Sequence, residues 1–186
     1  MNRRTPENPC PSWNTLNQAL VGIHRARREP DPRKKRDRFL ESLRFVTQNA
    51  PEGLWAEDGL AEFSDRDLDR MIECVFDRPS TRLAVYGTLA PGERNHDLLK
   101  DVPGEWTDAT VEGTIEERAG LQFFTWVPGG PERSVQVFQS DRLPGLWPRL
   151  DEFEGEEYER IPVPVQISNT PAVAFIYSSN RDRPAT

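Results

Sequence analysis

Leu83-Ala84-Val85-Tyr86-Gly87-Thr88-Leu89-Ala90-Pro91-Gly92-Glu93-Arg94-Asn95-His96-Asp97-Leu98-Leu99 is a short apolar run that halts at a glycine and continues as a polar loop. Everything after it reads as one sheet-rich unit. Leu83 to Tyr86 has the length and side chains of a short strand. Trp106 to Glu116 alternates loosely around Gly113, and Ser134 to Gln139 puts Val135 and Val137 on one face with Phe138 on the other. Further on, Ile161, Val163, Val165 and Ile167 alternate strictly with Pro162 and Pro164 between them, and Ala172 to Tyr177 supplies a last strand. Prolines on one side of a strand donate no hydrogen bonds there, which places that stretch at an edge or in an irregular part of a curved sheet. The expected fold class is therefore α+β: a small, mostly antiparallel, β-barrel-like domain with short helices, preceded by an α-helical N-terminal extension.

Upstream of this unit the pattern is helical. Residues 1–11, with Pro6, Pro9 and Pro11, read as an extended lead-in. Trp13, Leu16, Leu20 and Ile23 recur at helical spacing and predict a helix ending before Pro30-Asp31-Pro32. A second helix carries Phe39, Leu40, Leu43 and Val46, opening with Arg33-Lys34-Lys35-Arg36, a run of cations that opposes the helix dipole. An amphipathic turn follows Pro51 with Leu54 and Trp55; Ser64-Asp65-Arg66-Asp67 then has the form of a helix start ahead of Leu68, Met71, Ile72, Val75 and Phe76. Such helices need a surface to cover. They are expected to pack on one another and on the sheet, or to form a homodimer.

Composition bounds the function classes. The chain of 186 residues has 17 prolines, 30% charged and 35% hydrophobic residues, which suits short elements and many turns. Residues 1–80 hold equal numbers of basic and acidic side chains, so the whole formal charge of −7 belongs to 81–186. This shift and Pro79 set the expected boundary between a 1–80 extension and an 81–186 domain. No apolar run long enough to span a membrane is present and Met1 to Pro6 lacks the apolar core of a signal peptide, so the expected location is the cytoplasm, with no membrane partner. Cys10 and Cys74 suggest neither a disulfide scaffold nor a zinc site, and His24 and His96 leave little from which to build a nucleophilic triad. The basic segment 25–38 has few aromatics and no nucleic-acid-binding signature, so a solvated face is expected in preference to a nucleic-acid contact.

Two stretches carry possible chemistry. In Tyr86-Gly87-Thr88-Leu89, a glycine after a strand lets neighbouring amides face a bound group, and Thr88 adds a hydroxyl; an ordinary turn is the plain alternative. In Leu150-Asp151-Glu152-Phe153-Glu154-Gly155-Glu156-Glu157-Tyr158-Glu159-Arg160, a helix with Pro148 at its first position would be ended by Gly155, with Leu150 and Glu154 on one side. A carboxylate on an apolar face, at the negative end of a helix and among other carboxylates, has a raised pKa suited to proton transfer. An acidic cap in a solvated loop is the alternative. Asp151 and Glu152 are expected to be solvated, Arg160 to pair with a nearby carboxylate, Tyr177 to pack, and Asn95 with His96 to cap a helix through Leu98 and Leu99.

Val85-Tyr86-Gly87-Thr88-Leu89 with Gly92, Asn95, His96 and Leu98-Leu99, together with Leu150-Asp151-x-Phe153-Glu154-Gly155-x-x-Tyr158-x-Arg160, resembles the gamma-glutamyl cyclotransferase-like superfamily over about residues 82–178. The resemblance implies a cofactor-independent enzyme that folds a small gamma-glutamyl substrate on itself, the α-amine attacking the γ-carbonyl to release 5-oxoproline and an amine. It assigns Glu154 as acid/base and Tyr86, Gly87, Thr88 and Leu89 as the binding loop. Tyr158 is a further candidate contact. The stretch from Gly120 to Pro131, with Phe123, Phe124 and Trp126, suggests no familiar substrate pocket and leaves the leaving amine undetermined. A non-catalytic small-molecule or protein binding module on the same fold is the competing reading.

Overall fold

The computed structural model describes residues 11–44, 46 and 64–180. Almost all of the expected lead-in, Cys10, and the turn at Leu54 and Trp55 lie outside the described residues. Among the described residues, three helices come first: α1 (Trp13–Arg27), α2 (Pro32–Leu43) and α3 (Asp65–Val75). The remainder runs β1 (Arg82–Val85), β2 (Glu105–Arg118), β3 (Leu121–Trp126), β4 (Glu132–Gln139), α4 (Leu143–Glu154), β5 (Tyr158–Ile167) and β6 (Thr170–Ser179).

Strands β2, β4, β1, β6 and β5 pair in that order, and β5 returns to β2 through Ala109–Ile167 and Thr110–Gln166, closing a five-stranded mixed barrel. β1 and β6 run parallel; the other pairings are antiparallel. β2 is long enough to serve two neighbours. Its first part pairs with β4, and from Gly113 onward it pairs with β3, a strand within the Gly120–Pro131 stretch, whose sequence shows no alternation to announce it. At Gly113 an added Cβ would lie 2.4 Å from the Phe124 ring and 2.5 Å from the Thr125 carbonyl oxygen, so the crossing requires glycine. The barrel interior is filled by the inward residues of the alternating strands, among them Val111, Phe124, Val135, Val137, Val163, Val165 and Ile176.

β5 pairs with β6 along its whole length, whereas its other side meets β2 only near Ile167. Pro162 and Pro164 occupy the open part of that side, as the missing N–H groups dictate. α1 covers it: His24 Nε2 lies 2.9 Å from the Pro162 carbonyl oxygen, and the His24 ring sits 4.9 Å from that of Trp126. A carbonyl partner fixes Nε2 as the protonated nitrogen of a neutral imidazole. Leu16, Ala19, Leu20 and Ile23 of α1 form one core with Phe39, Leu43, Leu68, Ile72 and the sheet residue Val173. Glu112 ties α1 to the barrel, accepting from Trp13 Nε1 at 2.7 Å and Asn17 Nδ2 at 2.9 Å.

The helix starts follow their side chains. Ser12 caps α1, and Ser64 with Asp67 forms a reciprocal capping box on α3. Asp31 accepts from the Arg33 and Lys34 amides and so places an anion where the cations crowd the positive end of α2. α4 departs from expectation: it starts at Leu143, and Pro148 lies inside it. Arg142 is its N-cap and no side chain caps it; the Ser140 hydroxyl accepts from the Arg142 amide at 3.1 Å in the turn that leads into the helix. Among the described residues, no helix is long and apolar enough to cross a membrane.

The docking of α1 is expected to weaken in acid. Burial, followed by the charges of Arg27 and Arg28, depresses His24 to about 4 from its ordinary 6.5, against the opposing effect of the Pro162 bond. Between those values the unfolded chain binds the extra proton, so this contribution is complete above about pH 6.5 and is lost as pH falls through about 4. The loss is on the order of 3 kcal/mol. Thermal midpoints measured from pH 7 to 4 should fall more steeply for the wild type than for His24→Gln, which cannot titrate. Parallel curves would contradict the assignment.

Candidate active site

Gly155, at φ 72° and ψ −171°, ends α4 as expected, its amide bonding the Asp151 carbonyl. Leu143, Trp147 and Leu150 face the barrel, so α4 lies against the sheet and delivers its last residue, Glu154, to a cleft. Glu154 is half-buried and, among the described residues, its carboxylate has no hydrogen-bond or ion-pair partner. Burial raises it from the ordinary 4.5 to about 7. A carboxylic acid poised there exchanges protons readily at neutral pH.

Tyr86, Gly87, Thr88 and Leu89 line the same cleft as Glu154 and Tyr158, which together enclose part of a depression of about 1610 Å³. The Tyr86 hydroxyl donates to the Tyr177 carbonyl at 3.0 Å and accepts from the Phe124 amide at 3.4 Å. Burial, with a smaller push from the charges of Tyr158 and Glu154, raises its pKa. The Tyr158 hydroxyl donates to the Gln122 carbonyl at 2.9 Å while its ring stacks on Phe123. Both phenols are therefore pins between β3 and the rest of the barrel. Leu89 has its side chain in the core beneath α4, leaving its backbone for the cleft.

Among the described residues, the amides of Gly87, Thr88 and Leu89 have no protein acceptor. The loop is held by other means: the Ala90 amide bonds the Gly87 carbonyl, the Asn95 amide the Thr88 carbonyl, and Asn95 Nδ2 donates to Thr88 Oγ1 at 2.8 Å. Asn95 thus secures the loop instead of capping the 3₁₀ turn His96–Leu98, which has no side-chain cap. His96 Nδ1 likewise reaches back to the Leu89 carbonyl. Gly87 is not in the left-handed region, and a Cβ there would meet only Gln122 Oε1, at 3.6 Å. What glycine leaves at this position is open space beside unpaired N–H groups. The site is thus one unpaired carboxylate near a backbone donor cradle. Among the described residues, no three His, Cys, Asp or Glu side chains gather where a metal ion could sit.

The sequence profile of a family described as "Gamma-glutamyl cyclotransferase, AIG2-like" matches residues 83–186, from the start of the barrel through both motifs. The chain belongs to this family. No curated protein matches it. Among solved structures it is similar to YkqA from Bacillus subtilis, at 28% identity and TM-score 0.45, over 54% of this chain and 36% of that one. An AIG2-like protein from Mus musculus is 19% identical, with TM-score 0.47, over 56% of this chain and 80% of the mouse chain. An uncharacterized protein from Pyrococcus horikoshii is 27% identical, with TM-score 0.42, over 56% and 81%. The chain thus spans little more than a third of YkqA, and α1–α3 lie outside the family match.

In this gamma-glutamyl cyclotransferase-family barrel, Arg160 pairs with a carboxylate as expected, while two residues beside the site, Asp151 and Tyr177, have roles that the sequence does not announce. Asp151, expected to be solvated, accepts from two nitrogens of the Arg160 guanidinium, Nε at 2.9 Å and Nη2 at 3.1 Å. Tyr177, expected only to pack, donates its hydroxyl to Asp151 at 2.7 Å. Burial alone would raise Asp151, but the bonds from Arg160 and Tyr177 and the Arg160 charge hold it below the usual carboxylate range. Neither contact has a local signature, because Arg160 and Tyr177 lie on strands 9 and 26 residues from Asp151.

Proposed function

We propose that the chain is a gamma-glutamyl cyclotransferase that cleaves a gamma-glutamyl amine, amino acid or peptide by intramolecular aminolysis, with Glu154 as general acid/base. The observation that carries this reading is the state of Glu154: half-buried, unpaired and raised to about 7, in the cleft that the free amides of Gly87, Thr88 and Leu89 also line. We take residues 81–186 as the catalytic unit and residues 1–80 as its extension.

Tethering the nucleophile to the electrophile supplies much of the rate, because the α-nitrogen and the γ-carbonyl carbon need only be held in a folded conformer. The Glu154 carboxylate takes a proton from the α-ammonium. The freed nitrogen attacks the γ-carbonyl carbon, and the oxygen of the tetrahedral intermediate or the substrate α-carboxylate lies on the loop amides, the two anions such a cradle accepts. Protonated Glu154 delivers its proton to the leaving nitrogen as the carbon–nitrogen bond breaks. Both protons that the ammonium gives up end on the departing amine, and Glu154 returns to a carboxylate. Every step uses groups present on the chain and the substrate.

The base must be ionised in the free enzyme. With Glu154 at about 7, kcat/KM for 5-oxoproline release should climb about tenfold per pH unit below that value and level off above it. A profile without a break between pH 6 and 8 would remove Glu154 from the base role. A binding module with the same pocket would instead show thermal stabilisation by gamma-glutamyl compounds without product.

A further inference from the structure

Glu154 has no partner of its own, yet its role demands a fixed place. Something else has to hold it. The turn of α4 immediately before it ends in Asp151, and Asp151 receives three hydrogen bonds from two strands: two from Arg160 on β5 and one from the Tyr177 hydroxyl on β6. The guanidinium is itself seated, its Cζ lying 4.4 Å from the Trp147 ring centroid and 5.1 Å from that of Phe175. An ion pair with side chains 25% and 43% exposed contributes little to stability by Coulomb attraction alone. Its value here is geometric: a bidentate fork on an aromatic seat, with a third donor, fixes the orientation of the helix end.

Tyr177 extends the connection to the other half of the site. Its hydroxyl holds Asp151 on α4, while its main-chain carbonyl accepts the hydroxyl of Tyr86, the residue that precedes Gly87. One residue of β6 thus touches both the helix that carries the carboxylate and the start of the amide-lined loop. We propose that Asp151, Arg160 and Tyr177 form a positioning joint that sets Glu154 against the Gly87–Leu89 loop. This inference rests on the reading of Glu154 as the acid/base. It assigns a role to three residues that need not touch substrate.

The groups facing Glu154 are the partly buried phenol of Tyr86 and the buried phenol of Tyr177, both of which feel its charge, with Tyr158 beside them and Asp151 on its own helix. Asp151 is neutralised by Arg160. Opening the joint therefore acts on Glu154 through position: the helix end swings outward and the carboxylate regains water.

The test is a carbon-13 titration of the Glu154 carboxyl, assigned by its absence in Glu154→Gln, in the full chain as wild type, Asp151→Asn and Arg160→Met. Arg160→Met keeps an apolar stem against Trp147 and Phe175 while removing both bonds. The joint predicts a midpoint near 7 in the wild type that falls by a unit or more, toward the ordinary ~4.5, in the variants. It also predicts a kcat lower by about 10- to 100-fold, the cost of a displacement on the order of 1 Å, with KM changed far less and partial recovery in Arg160→Lys. A Glu154 midpoint in folded variants that matches the wild type overturns the joint. If Asp151→Asn does not fold, Tyr177→Phe removes a single hydroxyl and decides by the same reading. Absence of 5-oxoproline from every substrate sinks the proposed reaction, while the titration still decides whether the joint positions Glu154.

Discussion

Glu154→Gln should reduce kcat for 5-oxoproline formation by about 10²–10⁴-fold, the usual contribution of a positioned acid/base, with little change in KM. Glutamine keeps the shape of the side chain and removes the exchangeable proton, so a loss on kcat alone identifies the proton-transfer role. The same substitution reports on the raised pKa without any substrate. Because Glu154 titrates at about 7 when folded and about 4.5 when unfolded, the native state binds the extra proton between those values. The stability linked to that proton is complete below about pH 4.5 and is lost as pH rises through about 7. Glu154→Gln should therefore melt a few degrees above the wild type at pH 8, with the gap closing toward pH 5. A variant that is inactive but shows the same pH dependence of melting as wild type would mean that the carboxylate is not desolvated as described.

The second large effect lies on β3. Phe124 is fully buried in the barrel interior, its ring packs 5.5 Å from that of Tyr86, and its amide donates to the Tyr86 hydroxyl. Phe124→Ala should cost about 3–5 kcal/mol in urea unfolding, the range for a large aromatic removed from a packed core. The site should suffer with the fold. Tyr86 would lose the surface that orients its ring, and β3, which also holds Tyr158 through the Gln122 carbonyl, would loosen along the cleft wall. A loss below 1 kcal/mol would mean that the barrel interior is not packed around this ring.

β3 is also where sequence reasoning fell short, for a physical reason. Leu121-Gln122-Phe123-Phe124-Thr125-Trp126 does not alternate, because Phe124 faces the barrel interior while Phe123, also buried, stacks under Tyr158 on the other side. A strand covered on both faces loses the period-2 signal. The turn that leads into it is equally quiet. Ala119 and Gly120 both have positive φ, as a two-residue hairpin requires, yet alanine at the first position carries none of the asparagine or aspartate that announces such a turn. The turn between β5 and β6 uses Ser168 and Asn169 in the same way. By contrast, α1 and α3 were legible, since each exposes one face and buries the other at a fixed period, and β5 was legible because its isoleucines and valines alternate with Pro162 and Pro164, although both faces are buried from Pro162 to Val165.

The site divides along the same line. Gly155 as the end of α4 and Glu154 on its buried side followed from local rules of helix termination and spacing. The Asp151–Arg160 pair joins a helix to a strand and the Tyr177 bond spans 26 residues, so neither has a local signature. Pro148 misled about the helix start because proline favours the first turn; here Pro144 takes that place and the cost of Pro148 is one missing amide bond within the helix.

The measurement that bears most directly on the account is 5-oxoproline release, followed by mass spectrometry, from a panel of gamma-glutamyl dipeptides and gamma-glutamyl amines incubated with wild type and Glu154→Gln side by side. The account predicts product from at least one compound with the wild type and at least a hundredfold less with the variant. Equal product from both proteins would contradict it.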